Sequence, residues 1–318
     1  MSELINKIHT LVDEGKLQGM TTCTIDNRNI KIDIYGNAIP GEPLTRESIY
    51  DIASMSKLFV ATRVLQMIED EVFELSTPVV ELLPDFKNKE ITIEHLLLHR
   101  SGFDPSLGGR YTMSKDEMIQ SVLNCDDLTA PVDSRMLYSC INFILLGLVI
   151  ESFDGSLDSS IYNHITSPLN MDSTRYLPTN KELCVPSGID DEGNIIRGVV
   201  NDTTARRLGG IAGNAGIFST VDDLIKFAEG YFQRTILTPE TIQILISTNV
   251  DNRSLGWNIF QYKEKDYLYH TGYTGPSILL DIENMHGLIL LTNRNYPKLN
   301  PDYVDIRLDL FRTFIDNK

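Results

Sequence analysis

The placement of the β-strand patterns limits the fold more than any other feature of this sequence. Runs rich in β-branched and aromatic residues lie near both ends of the chain, at 20–26, 30–35, 255–262, 267–271, 278–282 and 288–292. Between these groups, from the segment after residue 50 to about residue 200, the patterns are mostly helical. The predicted helices are 1–12, 58–68, 92–99, 114–125, 140–152, 156–166, 220–232, one that opens at Thr238-Pro239, and 300–316.

Strands at both ends and helices in the middle are most simply accommodated by one sheet built from both ends of the chain. Terminal helices would cover that sheet, and a mainly helical domain would be inserted into it. We therefore predict an α/β fold of the α+β type with a mainly antiparallel sheet. Residues 1–58 and 202–318 would form the discontinuous sheet domain, residues 59–201 the helical domain, and the active site would lie at their interface.

Composition narrows the class of protein. The 318 residues are 42% hydrophobic and 23% charged, and no run of about 18 apolar residues could span a bilayer. A net charge of -16 argues against nucleic acid and anionic membranes as partners. Without a visible signal peptide, and with four cysteines lacking CxxC pairs, we expect reduced thiols and a cytoplasmic location. The cysteines are Cys23, Cys125, Cys140 and Cys184.

A serine and a lysine stand at the start of the apolar helical pattern 58–68. Its apolar residues spread almost all round the helix, which predicts that the helix is buried. Ser54 and Lys57 are three residues apart, so they share a face and the lysine can reach the serine hydroxyl. The positive end of the helix dipole favours a neutral lysine amine, which is a base, and the free N–H groups there can stabilise an anion.

One Ser-x-x-Lys match is weak support by itself, because roughly one is expected by chance in a chain of this length. The alternative interpretation is an N-cap serine followed by a solvent-facing lysine. Two further stretches look unusual: Tyr138 precedes the apolar helix 140–152, and residues 269–275 interrupt a strand with polar residues and glycines. Taken separately, Tyr138 also fits a half-buried core tyrosine, and His270 a hydrogen-bonded strand histidine.

Taken together, these stretches resemble the serine β-lactamase and penicillin-binding protein superfamily, specifically its class C-like branch. The segments that resemble the family's Ser-x-x-Lys, Tyr-x-Asn and Lys/His-Thr-Gly motifs, in the same order, are Ser54–Lys57, Tyr138–Cys140 and His270–Gly272. Residues 93–102 are similar to the family's HLLTHTSG segment and residues 215–224 to its AGLFSTADDL segment, and 255–257 also has a counterpart. The resemblance runs from about residue 20 to the C-terminus.

The resemblance implies a β-lactamase/transpeptidase-like fold and a covalent acyl-enzyme mechanism that needs no metal or organic cofactor. Ser54 would be the nucleophile, and Lys57 and Tyr138 would share the general-base work. The backbone N–H groups of Ser54 and Tyr273 would form the oxyanion hole.

The same resemblance gives His270 a role in the substrate groove. Many relatives have lysine at this position, and His270 would help polarise Tyr138 or meet a substrate carboxylate. Histidine carries its full charge only below neutral pH, so we expect a weaker contribution than lysine would make. Thr271 and Gly272 would line the groove.

Cys140 departs from the family pattern, which usually has asparagine there to hold the lysine and contact the substrate amide. A thiol is a poor donor and acceptor and cannot offer both functions of an amide. We therefore expect a serine hydrolase of small esters or other acyl compounds. The alternatives are a D-amino-acid peptidase or weak β-lactamase, acyl transfer to an alcohol, and a non-catalytic acyl-ligand sensor or scaffold. The expected partner is a small ester or peptide-like molecule, and the oligomeric state is left open.

Other interpretations are weaker. His95 and His99 are spaced i, i+4, but no third ligand is evident and the order differs from His-Glu-x-x-His, so we predict no metal site. The glycine-rich segment 209–216 lacks the lysine and the preceding strand of a phosphate loop, and is predicted to be a tight structural loop beside the groove. A reactive or redox role for the Cys140 thiol, activated by neighbouring cations, is a secondary interpretation.

Overall fold

The computed structural model describes residues 2–105, 108–109, 111–125 and 128–317. Its strands are β1 (Gly19–Asp26), β2 (Asn29–Ile39), β3 (Glu42–Pro43), β4 (Tyr50–Asp51), β5 (Arg175–Tyr176), β6 (Gly188–Ile189), β7 (Ile195–Ile196), β8 (Ile217–Ser219), β9 (Asn258–Tyr262), β10 (Lys265–Thr271), β11 (Ser277–Asp281) and β12 (His286–Thr292). Seven of them form one antiparallel sheet in the order β3-β2-β1-β12-β11-β10-β9.

The helices are α1 (Ser2–Asp13), α2 (Ser56–Glu69), α3 (Val79–Leu82), α4 (Ile93–Leu97), α5 (Lys115–Leu123), α6 (Cys140–Asp154), α7 (Leu157–Ile161), α8 (Thr203–Arg207), α9 (Val221–Phe232), α10 (Pro239–Ser247) and α11 (Tyr303–Asp316). The first residues of four predicted helices are N-caps, since each hydroxyl accepts the backbone N–H of the third residue on: Thr92, Ser114, Thr220 and Thr238. Within the described ranges no single helix is long and apolar enough to cross a membrane.

Both ends of the chain meet in the sheet, as the strand patterns predict. β1 pairs with β12 from Met20 opposite Thr292 to Asp26 opposite His286, so the N-terminal hairpin and the C-terminal strands share one ladder. The predicted α+β fold with a mainly antiparallel sheet is confirmed. The division into domains at residues 58 and 201 stays a prediction.

The two sheet faces are covered by different layers because side chains alternate along each strand. On one face Met20 and Leu290 pack with α1 and α11 through residues such as Leu4 and Phe311. On the other face Cys23 and Ile25 of β1 join the large core that contains most of α2, α6 and α9. The nearly continuous burial of α2 agrees with its apolar pattern.

The expectation that the chain is mostly helical up to residue 200 is wrong for its last third, where the short strands β5, β6 and β7 occur. β5 pairs with β8, and β8 pairs with β4 immediately before Ser54. Two predicted boundaries also shift. The helix after Thr92 ends at Leu97 because His99 has a φ of 56°, and the strand expected from 255 begins at 258 because Gly256 has a φ of 86°.

Candidate active site

Ser54 lies in the 3₁₀ turn Ala53–Met55, which runs directly into α2. Ala53 adopts a φ of 47°, which is unusual for a residue with a Cβ and is held by its surroundings. The buried Asp51 carboxylate accepts the backbone N–H groups of Ala53 at 2.9 Å and Asn201 at 2.7 Å. Burial raises the pKa of Asp51 to about 6, while these two hydrogen bonds act in the opposite direction.

Strand β8 holds the same turn from its other side. The Ile52 backbone N–H donates to the Ile217 carbonyl at 3.1 Å, and the Ile217 N–H donates to the Ser56 hydroxyl at 3.1 Å. The turn is thus fixed on both sides of Ser54, whose own hydroxyl stays half-buried and open to the site.

Lys57 is fully buried beside Ser54. Its Nζ donates to the Ser54 hydroxyl at 3.0 Å and to the Asn214 carbonyl at 2.7 Å, and lies 3.9 Å from the Cys140 Sγ. Burial lowers the pKa of Lys57, but the neighbouring Cys140 and Tyr138 groups raise it more, so the pKa lies above its ordinary value. This direction favours the ammonium form, whereas the helix dipole favours the neutral amine, so the neutral amine stays a prediction.

The glycine-rich loop 209–216 supplies the carbonyl that Lys57 contacts. A Cβ at Gly213 would lie 1.8 Å from the Phe143 carbonyl oxygen of α6, so only glycine fits there. The loop can then approach α6 closely enough to direct the Asn214 carbonyl at Lys57. The predicted tight loop is confirmed, and it holds the lysine.

Tyr138 completes the group around the serine. Its hydroxyl donates to the Ser54 Oγ at 2.9 Å. Two cations lie near the ring, with Lys57 Nζ at 5.2 Å and Arg253 Cζ at 5.3 Å from its centroid. It also packs on the ring of His99, with 4.5 Å between centroids.

His99 also fixes the backbone on both sides of Tyr138. The Leu137 N–H donates to the His99 carbonyl, and the Ser139 N–H donates to the His99 Nδ1 at 3.2 Å. Burial first, then the charges of Arg253 and Lys57, hold the pKa of His99 well below its usual value. This histidine is neutral and serves as a fixed apolar and hydrogen-bonding support.

His270 lies near the same cations on the inner face of β10. It is 1% exposed, and its Nδ1 accepts the Thr271 backbone N–H at 2.9 Å. Burial, Arg253 and Lys57 together hold the pKa of His270 well below its usual value. The expected weak charge at this position is therefore absent near neutral pH.

The segment after Thr271 packs against the turn that carries Ser54. A Cβ at Gly272 would lie 2.5 Å from the Ile52 carbonyl oxygen, which requires glycine, and the Thr274 hydroxyl donates to the Asp51 carbonyl at 2.8 Å. In the part of the chain that the structure describes, neither the Ser54 nor the Tyr273 backbone N–H has a protein acceptor. The two N–H groups predicted to form the oxyanion hole are available, and that role stays a prediction.

Neither Arg253 nor the supporting role of His99 was predicted from the sequence. Arg253 lies two residues before the Leu255–Trp257 segment that resembles the family, which is the only sequence signal for it. The two histidines considered for a metal have separate tasks, since His95 accepts the Thr92 N–H in a capping box. Among the described residues no group of three or more His, Cys, Asp or Glu could hold a metal ion.

Comparison with known proteins agrees with this geometry. The chain is 24% identical over 340 residues to the N-acetylmuramyl-L-alanine amidase of Bacillus subtilis (strain 168), covering 87% of this chain and 77% of that protein. Its fold is similar to the class C beta lactamase from Rhodobacter sphaeroides, with a TM-score of 0.82 and 18% identity over 99% of this chain and 100% of that one. It is also similar to EstCE1, a hydrolase with promiscuous acyltransferase activity, with a TM-score of 0.81 and 19% identity over 97% of both chains.

A family model described as Beta-lactamase matches residues 4–310, which is nearly the whole chain. The order of the three motifs and the fold point to the same class of protein as this match. The chain therefore belongs to the beta-lactamase family, a family of serine hydrolases.

Proposed function

We propose that this protein is a serine hydrolase that forms an acyl-enzyme on Ser54 and turns over small esters or related acyl compounds. The observation that carries this proposal is the convergence of two side chains on one hydroxyl: Lys57 Nζ at 3.0 Å and Tyr138 OH at 2.9 Å from the Ser54 Oγ. A nucleophile, a proton acceptor and a fixed cation within hydrogen-bond distance are what acyl transfer requires.

Tyr138 is the better general base of the two neighbours, because the site favours the ammonium form of Lys57. In its phenolate form Tyr138 takes the Ser54 proton while the Ser54 oxygen attacks the substrate carbonyl carbon. The Lys57 ammonium stabilises the negative charge on both oxygens. Tyr138 then gives that proton to the leaving alkoxide as the bond to the alcohol breaks.

Deacylation repeats these steps with water. Tyr138 takes a proton from water as the hydroxide attacks the acyl carbon, and returns it to Ser54 as the ester bond breaks and the carboxylic acid leaves. In both tetrahedral intermediates the free N–H groups of Ser54 and Tyr273 would receive the oxyanion. Every proton is returned, so the cycle needs no co-reactant but water.

Cys140 supports esters over amides. Its sulfur lies 3.9 Å from Lys57 Nζ, where a side-chain amide would form a shorter hydrogen bond and could also bind a substrate amide. The presence of cysteine in place of the family's asparagine costs an ester little binding, since an ester has no amide N–H to satisfy. Its alcohol also leaves more readily than an amine. The likeness of the fold to EstCE1, a hydrolase, adds support.

Cleavage of an amide or peptide bond is the second candidate. It is favoured by the sequence similarity to the Bacillus subtilis amidase, which extends over 87% of this chain. The two candidates share the acyl-enzyme and differ in the leaving group, so one experiment can separate them.

The test is hydrolysis of p-nitrophenyl acetate and butyrate, and of a D-alanyl-D-alanine peptide, by wild type and Ser54→Ala, with intact-mass detection of acyl adducts after penicillin treatment. We expect ester turnover that Ser54→Ala abolishes. Ser247→Ala is the control, because its exposed hydroxyl donates to the Ile244 carbonyl within α10 and takes no part in the Ser54 turn.

Three results would change the proposal. Faster turnover of the peptide than of the esters would favour the amidase-like candidate. A stable adduct on Ser54 without turnover would favour an acyl-ligand sensor. If wild type forms no adduct and hydrolyses none of these compounds faster than Ser54→Ala, the enzymatic proposal is wrong.

A further inference from the structure

In the described part of the chain, Lys57 has one close acceptor besides Ser54. Its Nζ donates to the Asn214 carbonyl at 2.7 Å, whereas the Cys140 sulfur, a weak acceptor, lies 3.9 Å away. A lysine side chain is long and flexible, so its nitrogen is only as well placed as the groups that hold it. The position of the Asn214 carbonyl therefore decides where Lys57 meets Ser54.

The Asn214 side chain is buried in a way that packing alone does not explain. The residue is 0% exposed, its Nδ2 donates to the Asp202 carboxylate at 3.1 Å, and its Oδ1 is enclosed without a partner within the described ranges. An unsatisfied buried acceptor costs free energy that an alanine would not. What the amide adds is its bond to Asp202, which fixes the side chain and, with it, the carbonyl of the same residue.

Asp202 is itself anchored at the start of α8. The same Oδ1 that accepts the Asn214 amide also accepts the Ala205 backbone N–H at 2.8 Å, which makes Asp202 the N-cap of this helix. Arg206 of α8 closes this segment, since its Nε donates to the Val200 carbonyl at 3.0 Å. The Asp202 carboxylate thus has a defined position from which it holds Asn214.

The residue before Asp202 is bound to the turn that carries Ser54. The Asn201 backbone N–H donates to the buried Asp51 carboxylate at 2.7 Å, and Asp51 also accepts the Ala53 N–H at 2.9 Å. Two successive residues therefore reach both halves of the site: Asn201 reaches the serine turn, and Asp202 reaches the residue that holds the lysine. This connection sets the spacing between the serine and the lysine.

We infer that Asp202 is a positioning residue of this active site, which fixes Lys57 against Ser54 through the side chain and the carbonyl of Asn214. This inference rests on the proposed function, in which Lys57 assists the attack by Ser54. Asp202 acts through Asn214, so its removal should slow acylation and leave substrate binding near wild type.

The test is single-turnover release of p-nitrophenol from p-nitrophenyl butyrate with enzyme in excess. It gives the acylation rate constant and the substrate dissociation constant separately, for wild type, Asp202→Ala, Asn214→Ala and the double variant. Because a misplaced group can slow a reaction by up to about 100-fold, we expect each single variant to acylate about 10- to 100-fold more slowly with a dissociation constant near wild type. Since both changes break one connection, the double variant should lose no more than the larger single loss.

Two further variants separate this role from helix capping. Asp202→Asn keeps an N-cap oxygen that can accept both N–H groups, so it should keep most of the acylation rate. Ser156→Ala removes the N-cap of α7, which has the same five-residue length as α8, and should acylate as wild type does. Urea titration checks that each variant is folded.

Stability gives a second readout that a merely structural role would move. Asn214→Ala deletes the unpartnered Oδ1 together with the bond to Asp202, so its urea midpoint should stay near wild type while acylation slows.

Three results would overturn the inference: folded Asp202→Ala or Asn214→Ala that acylates at the wild-type rate, two single losses that multiply in the double variant, or an equal loss in Ser156→Ala. Absence of Ser54-dependent hydrolysis in wild type would instead refute the proposed function.

Discussion

The two faces of the seven-stranded sheet are formed by alternate residues of the same strands, but one face is covered by apolar side chains and the other also buries polar and charged ones. On the outer face Leu279 and Leu290 pack against Leu310 and Phe311 of α11 in a layer that is mainly apolar. On the inner face the same alternation places His270 two residues after the buried Leu268. The histidine lies beside two cations, whereas an outward-facing residue of the same strand contacts apolar side chains.

The difference separates a face that serves folding from the face that carries the candidate site. Both faces bury an arginine beside a tyrosine, Arg307 with Tyr303 outside and Arg253 with Tyr138 inside. Only the inner tyrosine also contacts a serine hydroxyl that a buried lysine reaches. Costly buried charges collect where they act on a reactive group, and this is expected of a functional site.

The largest expected effect is that of removing the proton acceptor on the inner face. Tyr138→Phe keeps the ring near its two cations but deletes the hydroxyl 2.9 Å from Ser54. We expect kcat/KM for ester hydrolysis to fall by about 100- to 10,000-fold, the usual contribution of general base catalysis. Tyr303→Phe is the control, because its buried hydroxyl has no partner among the described residues, and equal losses in both variants would contradict the comparison.

The outer face should show the reverse result. Phe311→Ala removes a fully buried ring from the apolar layer under the sheet. We expect the free energy of unfolding, measured by urea titration, to fall by about 3–5 kcal/mol. The value of kcat/KM per folded molecule should stay near wild type at temperatures where the variant is folded.

A large drop in kcat/KM of folded Phe311→Ala would show that the two faces are coupled through the strands. Measuring the folded fraction in the assay buffer separates such coupling from a loss of activity that is caused by unfolding. Unchanged stability would instead show that the outer layer repacks around the missing ring.

The fold and the central triad of the site could be predicted from the sequence because their signals are local. Capping residues, strand alternation and the spacing of Ser54 and Lys57 are properties of short segments. Tyr138 required the motif order as well, since nothing within its own segment distinguishes it from a core tyrosine.

The charge state of the site could not be predicted, because it is set by distant segments. The raised pKa of Lys57 depends on Cys140 and Tyr138, which lie 83 and 81 residues away along the chain. Arg253 reaches Tyr138 across 115 residues of sequence, and its motif neighbours gave no reason to expect a buried guanidinium. The helix dipole alone favours the neutral amine, while these distant neighbours raise the pKa of Lys57.

A smaller effect concerns pH and follows from the neutral histidines of the inner face. The pKa of His270 lies well below the unfolded value of about 6.5, so below that pH the unfolded state binds more protons and stability falls. From pH 7 to pH 5 we expect a loss of up to about 2 kcal/mol in the free energy of unfolding from His270. His270→Gln should remove that part of the loss.

Asp51 changes the pH dependence of stability in the direction opposite to His270. His270→Gln must therefore be compared with wild type at each pH. Its pKa is raised to about 6, so its contribution to stability is full below pH 4 and is lost as the pH rises through 6. Urea titrations at pH 5 and 7 give the change in the free energy of unfolding between these two pH values for each protein. His164→Gln, at an exposed position, is the control. An identical pH dependence in His270→Gln and wild type would contradict a depressed pKa for this buried histidine.

The smallest expected effect is a change of substrate preference at Cys140. The sulfur lies 3.9 Å from Lys57 Nζ, and Cys140→Asn would place an amide oxygen within reach of the ammonium and an amide N–H toward the substrate. One such hydrogen bond is worth about 1 kcal/mol, so turnover of amide substrates relative to esters should rise by roughly 5- to 10-fold. Cys140→Ser, which offers a hydroxyl but no amide, should change the ratio less. The measurement is kcat/KM for matched p-nitrophenyl ester and anilide pairs, and a ratio that stays constant would show that the thiol does not set the preference.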